Sequence, residues 1–481
     1  MDKTSICDQL GKLEKLSSCL DPSPTLRARW NEQVKQITDS FYRDLPYLNA
    51  YSGEHSPSGG PIVPDLNARD DFGCTIRQLH DALITRGIQT AGPGHLGFIP
   101  GGGLHIGAIA DYLGACYNHF SADSYASPAA VEIHNQVVDW LIELVGYPRD
   151  AVGDITSGGS HATVQAFITA RESLEIPPKD YEKLVFYASE HSHHCYRKAI
   201  WAIFGRTPQI RILETCDHRI DPDGFATAIE RDLKAGLKPG LLAASAGTTN
   251  LGLIDPLAKL GRICAKNKIW FHVDGAYGGF FKLTESAKEH FAGMSQADSI
   301  ILDPHKGMFL PYGSGALLVK NGSLMVKALG SEETATYLQD RTVDRRELSP
   351  MDCSLELSRP FRSLRLWLAL KIHGASSFTA ALEEKLLLAK LAAAKIDEVS
   401  CLEVISKPQL SIFAFRFRND PRDEKTRHLL SALNKTGDSF LSSTKIDGRF
   451  VIRVAILAHR THLKTIEKLV SNIQTYCKEA N

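Results

Sequence analysis

The chain has 481 residues, 43% hydrophobic and 23% charged, with 55 lysines and arginines balanced by 55 aspartates and glutamates. At about 150 residues per domain that length predicts two or three domains with a sizeable core, and the balanced charge excludes a global field that would recruit nucleic acid or an acidic membrane surface. Met1 to Cys7 lack the apolar core of a secretory signal, no stretch reaches the roughly 18 apolar residues that span a bilayer, and the ten cysteines form no CxxC pair, so the expectation is a cytoplasmic protein with free thiols that acts on a small molecule.

Residues 1–90 are polar with helical punctuation, broken by a Gly/Pro/Ser-rich stretch from Tyr51 to Pro64, and helical periodicity returns over 76–88. Such a segment has too little apolar surface to stand alone, which leaves packing on a second subunit or a mobile arm. Gly94 to Leu104 is glycine-dense, as where backbone bends sharply or lies close to a ligand. Helical patterns follow over 106–117 and 130–145, with a turn and helix entry at Ser124 to Pro128. Thr156-Ser157-Gly158-Gly159-Ser160 then precedes a helix predicted over 161–171. Small residues opening a helix aim unpaired N–H groups outward, which makes a phosphate cradle; the alternative is Ser160 as a plain N-cap.

Short apolar runs at 184–188, 210–213, 241–245, 269–273 and 299–302 alternate with helical stretches such as 222–235 and 256–266. Apolar on both faces, they imply a largely parallel sheet covered on both sides, and 316–319 follows closely enough to pair as an antiparallel neighbour. The chain after Leu364 reads as a long helix continuing through 381–396, strands at 410–416 and 450–456, and a closing helix at 462–475. The fold class is therefore α/β: a large, mostly parallel sheet domain over 91–375, a small C-terminal α+β domain over 376–481, and an N-terminal segment over 1–90.

Several residues at predicted strand ends could carry chemistry. Ile300 to Leu302 run into Asp303-Pro304-His305-Lys306-Gly307, at the edge where open α/β sheets place reacting groups. An amine partly shielded from water there loses some charge and becomes a carbonyl nucleophile; otherwise Lys306 is a surface lysine in a turn. Asp274, followed by Gly275 and Ala276, is either a turn aspartate or a carboxylate that keeps a heterocycle's ring nitrogen protonated, with Ala276 small enough to lie beneath the ring. In Glu190-His191-Ser192-His193-His194, adjacent histidines cannot all converge on one ion and no HExxH or cysteine set completes a metal site, so no metal is expected. One imidazole stacked on a cofactor ring, with the others on the surface, is the better reading. Thr248 and Thr249, after the strand at 241–245, offer hydroxyls at the same edge.

With these residues assembled, the chain resembles the group II pyridoxal-phosphate-dependent amino acid decarboxylases, the family of aromatic-L-amino-acid, histidine and glutamate decarboxylases. The ordered set Thr156 to Ser160, His193, Gly247-Thr248-Thr249, His272 to Ala276 and Asp303 to Lys306 carries the resemblance, and Leu357 to Trp367 adds an arginine-rich helix entry. It implies a fold-type I PLP-dependent transferase-like architecture and a homodimer whose N-terminal segment wraps the partner. Carried over by position, Lys306 holds pyridoxal phosphate as a Schiff base and Asp274 pairs with the pyridinium nitrogen. His193 and Ala276 take the two ring faces, Gly159 and Ser160 hold the phosphate, and Thr249 and His305 border the cofactor. Asp303 stands where relatives have a phosphate-contacting asparagine, and a carboxylate there repels phosphate unless only its backbone approaches.

Tyr337 falls where the family has a loop tyrosine that reprotonates the substrate carbon, so Tyr337 and His193 together favour simple decarboxylation over aldehyde synthesis. Phe98, Ile99 and Gly101 border the substrate, with Gly101 in place of a threonine and Ala122 in place of a phenylalanine. Gly307 stands where many relatives have tryptophan, and Gly313-Ser314-Gly315 replaces an Asp-Cys-Gly-like turn. An aromatic amino acid is the expected substrate, because the loop at 94–104 holds no arginine for a side-chain carboxylate. Glutamate, aspartate or cysteine sulfinate is the alternative, followed by a pyridoxal lyase acting on a phosphorylated amino alcohol and by a non-catalytic relative.

Overall fold

The computed structural model describes residues 3–53, 67–330 and 348–479. At the N-terminus, α1 (Lys3–Ser17) and α2 (Pro24–Asp44) bury no residue at all, although α2 is properly opened by Pro24 and by the Ser23 hydroxyl, which accepts from the Leu26 N–H. β1 (Tyr51–Ser52) pairs antiparallel with β2 (Gly87–Ile88) on either side of α3 (Phe72–Thr85). That helix starts earlier than its periodicity suggests because the Asp71 carboxylate accepts from Cys74 N–H at 2.9 Å. Ala50 N–H donates to the Gly437 carbonyl at 2.7 Å, so this part of the segment is tied to the C-terminal body of its own chain.

After α4 (His105–Tyr117) and α5 (Pro128–Val145) the central sheet begins with β3 (Val152–Thr156) and α6 (Gly159–Leu174). It continues with β4 (Leu184–Ser189), α7 (Cys195–Phe204), β5 (Gln209–Leu213), a small hairpin of β6 (Thr215–Cys216) and β7 (Arg219–Ile220), α8 (Pro222–Lys234), β8 (Lys238–Ser245) and α9 (Leu257–Asn267). β9 (Trp270–Gly275), β10 (Ser299–Leu302), the single turn α10 (Pro304–Gly307), β11 (Gly315–Val319) and α11 (Gly322–Leu329) complete it. The spatial order is β3-β11-β10-β9-β8-β4-β5, parallel throughout except for β11, which runs antiparallel to both β10 and β3. One face is covered by α5, α8 and α9 through Leu141, Phe225 and Leu260, and the other by α6, α7 and α11 through Phe167, Ile200 and Met325.

β3 is not foreseen by pattern, since Gly153 and Asp154 interrupt its apolar run. Asp154 is fully buried yet answered: Arg359 Nη1 lies 2.5 Å from its Oδ1 and Arg359 Nη2 donates to the Ile155 carbonyl. α12 (Ser363–Asp397) is a long helix with one non-helical residue, Gly374 at φ 70°. Its side chains from Leu366 to Leu386 join the core of the large body, and from Leu388 onward they join that of the small one. There β12 (Leu402–Val404), β13 (Ile412–Phe417), α13 (Glu424–Lys435), β14 (Ser442–Ile446), β15 (Arg449–Ala455) and α14 (Leu463–Glu479) form an antiparallel sheet, order β12-β13-β15-β14, backed by helices. β14 escapes pattern reading because its residues, Ser-Ser-Thr-Lys-Ile, are polar and sit at the sheet edge.

Arg359→Met leaves Asp154 as an uncompensated buried charge and is expected to lower the unfolding free energy by about 3–5 kcal/mol. Urea titration of the two proteins checks this.

Candidate active site

The carboxyl ends of β3, β4, β8, β9 and β10 meet around one cavity of about 560 Å3. Parallel pairing of β9 with β10 sets Ile301 opposite Asp274 and Leu302 opposite Gly275, so that Asp274 and Asp303 emerge side by side. The two turns are then stitched together: Asp303 N–H donates to the Ala276 carbonyl at 3.2 Å, and Ala246 N–H donates to the Asp274 carbonyl at 2.7 Å. Of the residues singled out in the sequence, Phe98, Ile99, Gly159, Ser160, His193, Thr249, Asp274, Ala276, Asp303, His305 and Lys306 all line this cavity.

Lys306 Nζ lies 2.9 Å from Asp303 Oδ2. Burial disfavours its ammonium, but the Asp303 and Asp274 carboxylates and the hydrogen bond to Asp303 outweigh that cost and hold the lysine above its ordinary value. This corrects the expectation of an amine that has already shed charge: both strand-end carboxylates act on it. His305 Nδ1–H donates to the Ser314 carbonyl at 2.6 Å, which leaves Nε2 turned toward Asp303 at 3.8 Å.

The cradle at the start of α6 depends on close backbone contact. Gly158 has φ 152°, and a Cβ on Gly315 of β11 would sit 2.5 Å from the Gly158 Cα, so neither position tolerates a side chain. Thr156 Oγ1 accepts from the Gly158 N–H, fixing the turn, and the helix opens at Gly159 with its first N–H groups free of intrahelical partners. An added Cβ on Gly159 would meet both Asp303 and Ala276 within 3.3 Å.

His193 Nδ1 accepts the Cys195 N–H at 3.3 Å, which assigns its proton to Nε2, and burial lowers its pKa and keeps the ring neutral. The expectation that its loop mates lie on the surface holds for His194, which is exposed, but not for His191, which is buried against His218, ring centroids 5.5 Å apart. Asp274 is steadied by the Ala276 N–H, 2.9 Å from its Oδ1. Beneath it on β9, His272 is buried and bonded through Nδ1 to Ser299 Oγ at 2.8 Å, an oxygen that also accepts from Trp270 Nε1.

Arg453 is the residue that sequence reading misses. It belongs to an alternating strand of the small body, β15, and only the fold brings it into the cavity. Its Nε donates to the Thr249 and Asn250 carbonyls at 3.0 and 3.2 Å and its Nη1 to the Phe98 carbonyl at 2.5 Å, while Nη2 is buried with no partner among the described residues. Burial pulls this guanidinium down to about 10. β14 adds Ser442, Ser443 and Thr444 to the wall, and Tyr312 packs near His305.

Gly101 does not line the cavity. A Cβ there would stand 1.9 Å from the His305 carbonyl oxygen, so the backbone of the glycine loop rests directly on the turn that carries Lys306. Tyr337 lies outside the described residues. Among the described residues no group of three or more histidines, cysteines or carboxylates is disposed to hold a metal ion, and no helix is long and apolar enough to cross a membrane.

The residues present fit pyridoxal phosphate. The cavity is of cofactor size, a glycine turn opens a helix in its wall, the Asp274 carboxylate and the Lys306 amine both line it, and Asp303 Oδ1 and Arg453 Nη2 are buried polar atoms in its wall with no partner among the described residues.

Comparison with known proteins agrees with this geometry. A family profile described as the pyridoxal-dependent decarboxylase conserved domain matches residues 68–418. The chain is 31% identical over 397 residues to an aromatic-L-amino-acid decarboxylase of Bacillus atrophaeus, covering 81% of this chain and 82% of that one. It is 29% identical over 463 residues to tyrosine decarboxylase 2 of Narcissus pseudonarcissus, covering 92% and 89%. The crystal structure of Oryza sativa TDC with PLP and tryptamine superposes with a TM-score of 0.87 at 23% identity, covering 95% of this chain and 99% of that one.

Burial pulls His272 down to about 4. In the unfolded chain it binds a proton below its ordinary value near 6.5, whereas the folded protein does not, so stability is full above pH 6.5 and falls as pH drops toward 4, by about 1.4 kcal/mol per pH unit for each such histidine. Urea unfolding at pH 6.5, 5.5 and 4.5 is expected to show a shallower acid slope in His272→Gln than in wild type.

Proposed function

The chain belongs to the pyridoxal-dependent decarboxylase family, and we propose that it removes the carboxylate of an aromatic L-amino acid as carbon dioxide, leaving the amine. The observation behind this reading is the convergence of an ammonium, a strand-end carboxylate, a neutral imidazole and a glycine cradle in one cavity. Bound there, the cofactor supplies an electrophilic aldehyde and a protonated ring that takes up the electron pair left by the carboxylate. Lys306 would be the amine that holds the cofactor through its aldehyde. Asp274 keeps the ring nitrogen protonated, His193 and Ala276 flank the ring, and Gly159 with Ser160 cradles the phosphate, with Thr249 and His305 at its border. Tyr337 returns a proton to the substrate carbon.

We assign the unsatisfied Nη2 of Arg453 to the substrate α-carboxylate. With Lys306 and Arg453 so engaged, no third lysine or arginine lines the cavity among the described residues, so an acidic side chain meets no cation. Phe98 and Ile99 offer an aromatic side chain an apolar wall instead. This is a firmer ground for an aromatic substrate than the lack of arginine in the 94–104 loop, since Arg453 enters from a strand that the loop's composition does not report.

The active form is proposed to be a cytoplasmic homodimer, organised as an N-terminal segment over 1–90, a cofactor-binding domain over 91–375 and a small domain over 376–481. Supporting the dimer, α1 and α2 bury nothing, and Leu10, Leu13, Leu16 and Leu20 stand 52–84% exposed, an apolar stripe that a partner would cover.

Wild-type protein with added pyridoxal phosphate is expected to release carbon dioxide from tyrosine, tryptophan or phenylalanine in an amino acid panel, and Lys306→Ala to lose both that release and the visible absorbance of lysine-bound cofactor. Release from glutamate, aspartate or cysteine sulfinate alone would sink the aromatic reading. Arg453→Met removes the proposed contact to the substrate carboxylate, a charged hydrogen bond worth about 1.5–3 kcal/mol, together with its bonds to the Phe98, Thr249 and Asn250 carbonyls, so KM measured at saturating pyridoxal phosphate is expected to rise at least tenfold.

A further inference from the structure

Asp303 sits where an incoming phosphate meets a second anion. Its side chain is 3% exposed, Oδ2 is bonded to Lys306 at 2.9 Å, and Oδ1 is buried with no partner among the described residues. A Cβ on Gly159 would stand 3.1 and 3.3 Å from its two oxygens, so the carboxylate lies against the backbone of the cradle itself. Two anions this close and shielded from water repel strongly, and a phosphate dianion offers acceptors but no donor to the unsatisfied Oδ1. Lys306 presents the complementary difficulty. A carbonyl nucleophile needs a free electron pair, and this lysine is held as an ammonium by its two carboxylates.

One proton resolves both. We propose that Asp303 accepts the proton of Lys306 during cofactor capture and then remains a carboxylic acid whose O–H faces the phosphate. The proposal rests on the cofactor reading given above. The Nζ–H bond breaks and an Oδ–H bond forms along the 2.9 Å contact, so the pair stays neutral overall. The freed amine condenses with the cofactor aldehyde and releases one water. The carboxylate thus becomes a donor toward the phosphate at the moment the phosphate needs one.

The other titratable groups facing Asp303 do not serve as the proton source. His305 uses its Nδ1–H on the Ser314 carbonyl and stands 3.8 Å away, and burial keeps it, like His193, unprotonated. Cys195 is pushed up to about 12 by burial and holds its proton. Asp274 acts on Lys306 as its second carboxylate.

The test is an infrared difference spectrum recorded as pyridoxal phosphate is added to the apoprotein, with loading followed in parallel by absorbance. Wild type is expected to gain a protonated-carboxyl C=O band that shifts in D2O and is lost in Asp303→Asn. Loading of wild type is expected to be nearly flat between pH 6 and 8, whereas in Asp303→Asn it slows at least tenfold at neutral pH and speeds up with rising pH as solvent takes over as proton acceptor. Absence of the band in wild type, or a variant that loads as fast as wild type with the same flat profile, overturns the proposal. The wild-type spectrum decides even if the variant does not fold. Absence of any Lys306-dependent absorbance in wild type would overturn the cofactor reading and this proposal together, and is distinguishable because it appears before any infrared comparison.

Discussion

The register between two neighbouring strands governs the rest of the site. Because β9 and β10 run parallel with Ile301 opposite Asp274, their carboxyl ends finish at the same height and deliver Asp274 and Asp303 to the same opening. A slip of one residue turns every side chain of a strand to the other face, and here it would send Asp274 into the packed layer under α8 and α9, where Phe271 and Val273 now lie. The Ser299 hydroxyl at the start of β10, bonded to both Trp270 Nε1 and His272 Nδ1 of β9, pins that register. The short turn α10 then needs only one helical rotation to bring Lys306 back over Asp303.

Charge in the cavity is arranged for internal balance. Asp274 and Asp303 both act on Lys306, and His193 and His305 are kept neutral by burial, so the second carboxylate is left for the Arg453 guanidinium in the same cavity to offset. Arg453 extends this logic across the molecule. By donating to carbonyls of both the 94–104 loop and the Thr249 loop it fastens the small body to the large one, at the wall where β14 contributes hydroxyls. α12 does the same mechanically, since its side chains belong first to one core and then to the other.

Much of this was legible from residue order. Strands 184–188, 241–245 and 299–302 are apolar on both faces, which implies the interior of a covered sheet, and the polar loops that follow them mark the edge where ligands bind. β3 was not legible, because its buried Asp154 looks like a surface residue until Arg359, some 200 residues onward, is folded against it. Arg453 was hidden for the same kind of reason: alternation places it on one face of a strand, but no local pattern says what that face meets. The charge state of Lys306 was misjudged because sequence counts burial and neighbours separately, and only coordinates reveal that two carboxylates outweigh the loss of solvent.

The contact between Gly101 and the His305 carbonyl closes one route to altering this protein. Where a side chain at 101 could otherwise be varied to reshape the substrate space, here the position is main chain pressed on main chain, and any bulk introduced there displaces the reactive lysine before it touches a ligand. Attempts to redirect selectivity must therefore work from the opposite wall, through Phe98, Ile99 and the hydroxyl row on β14, leaving the hinge-like seat under Lys306 as nature left it.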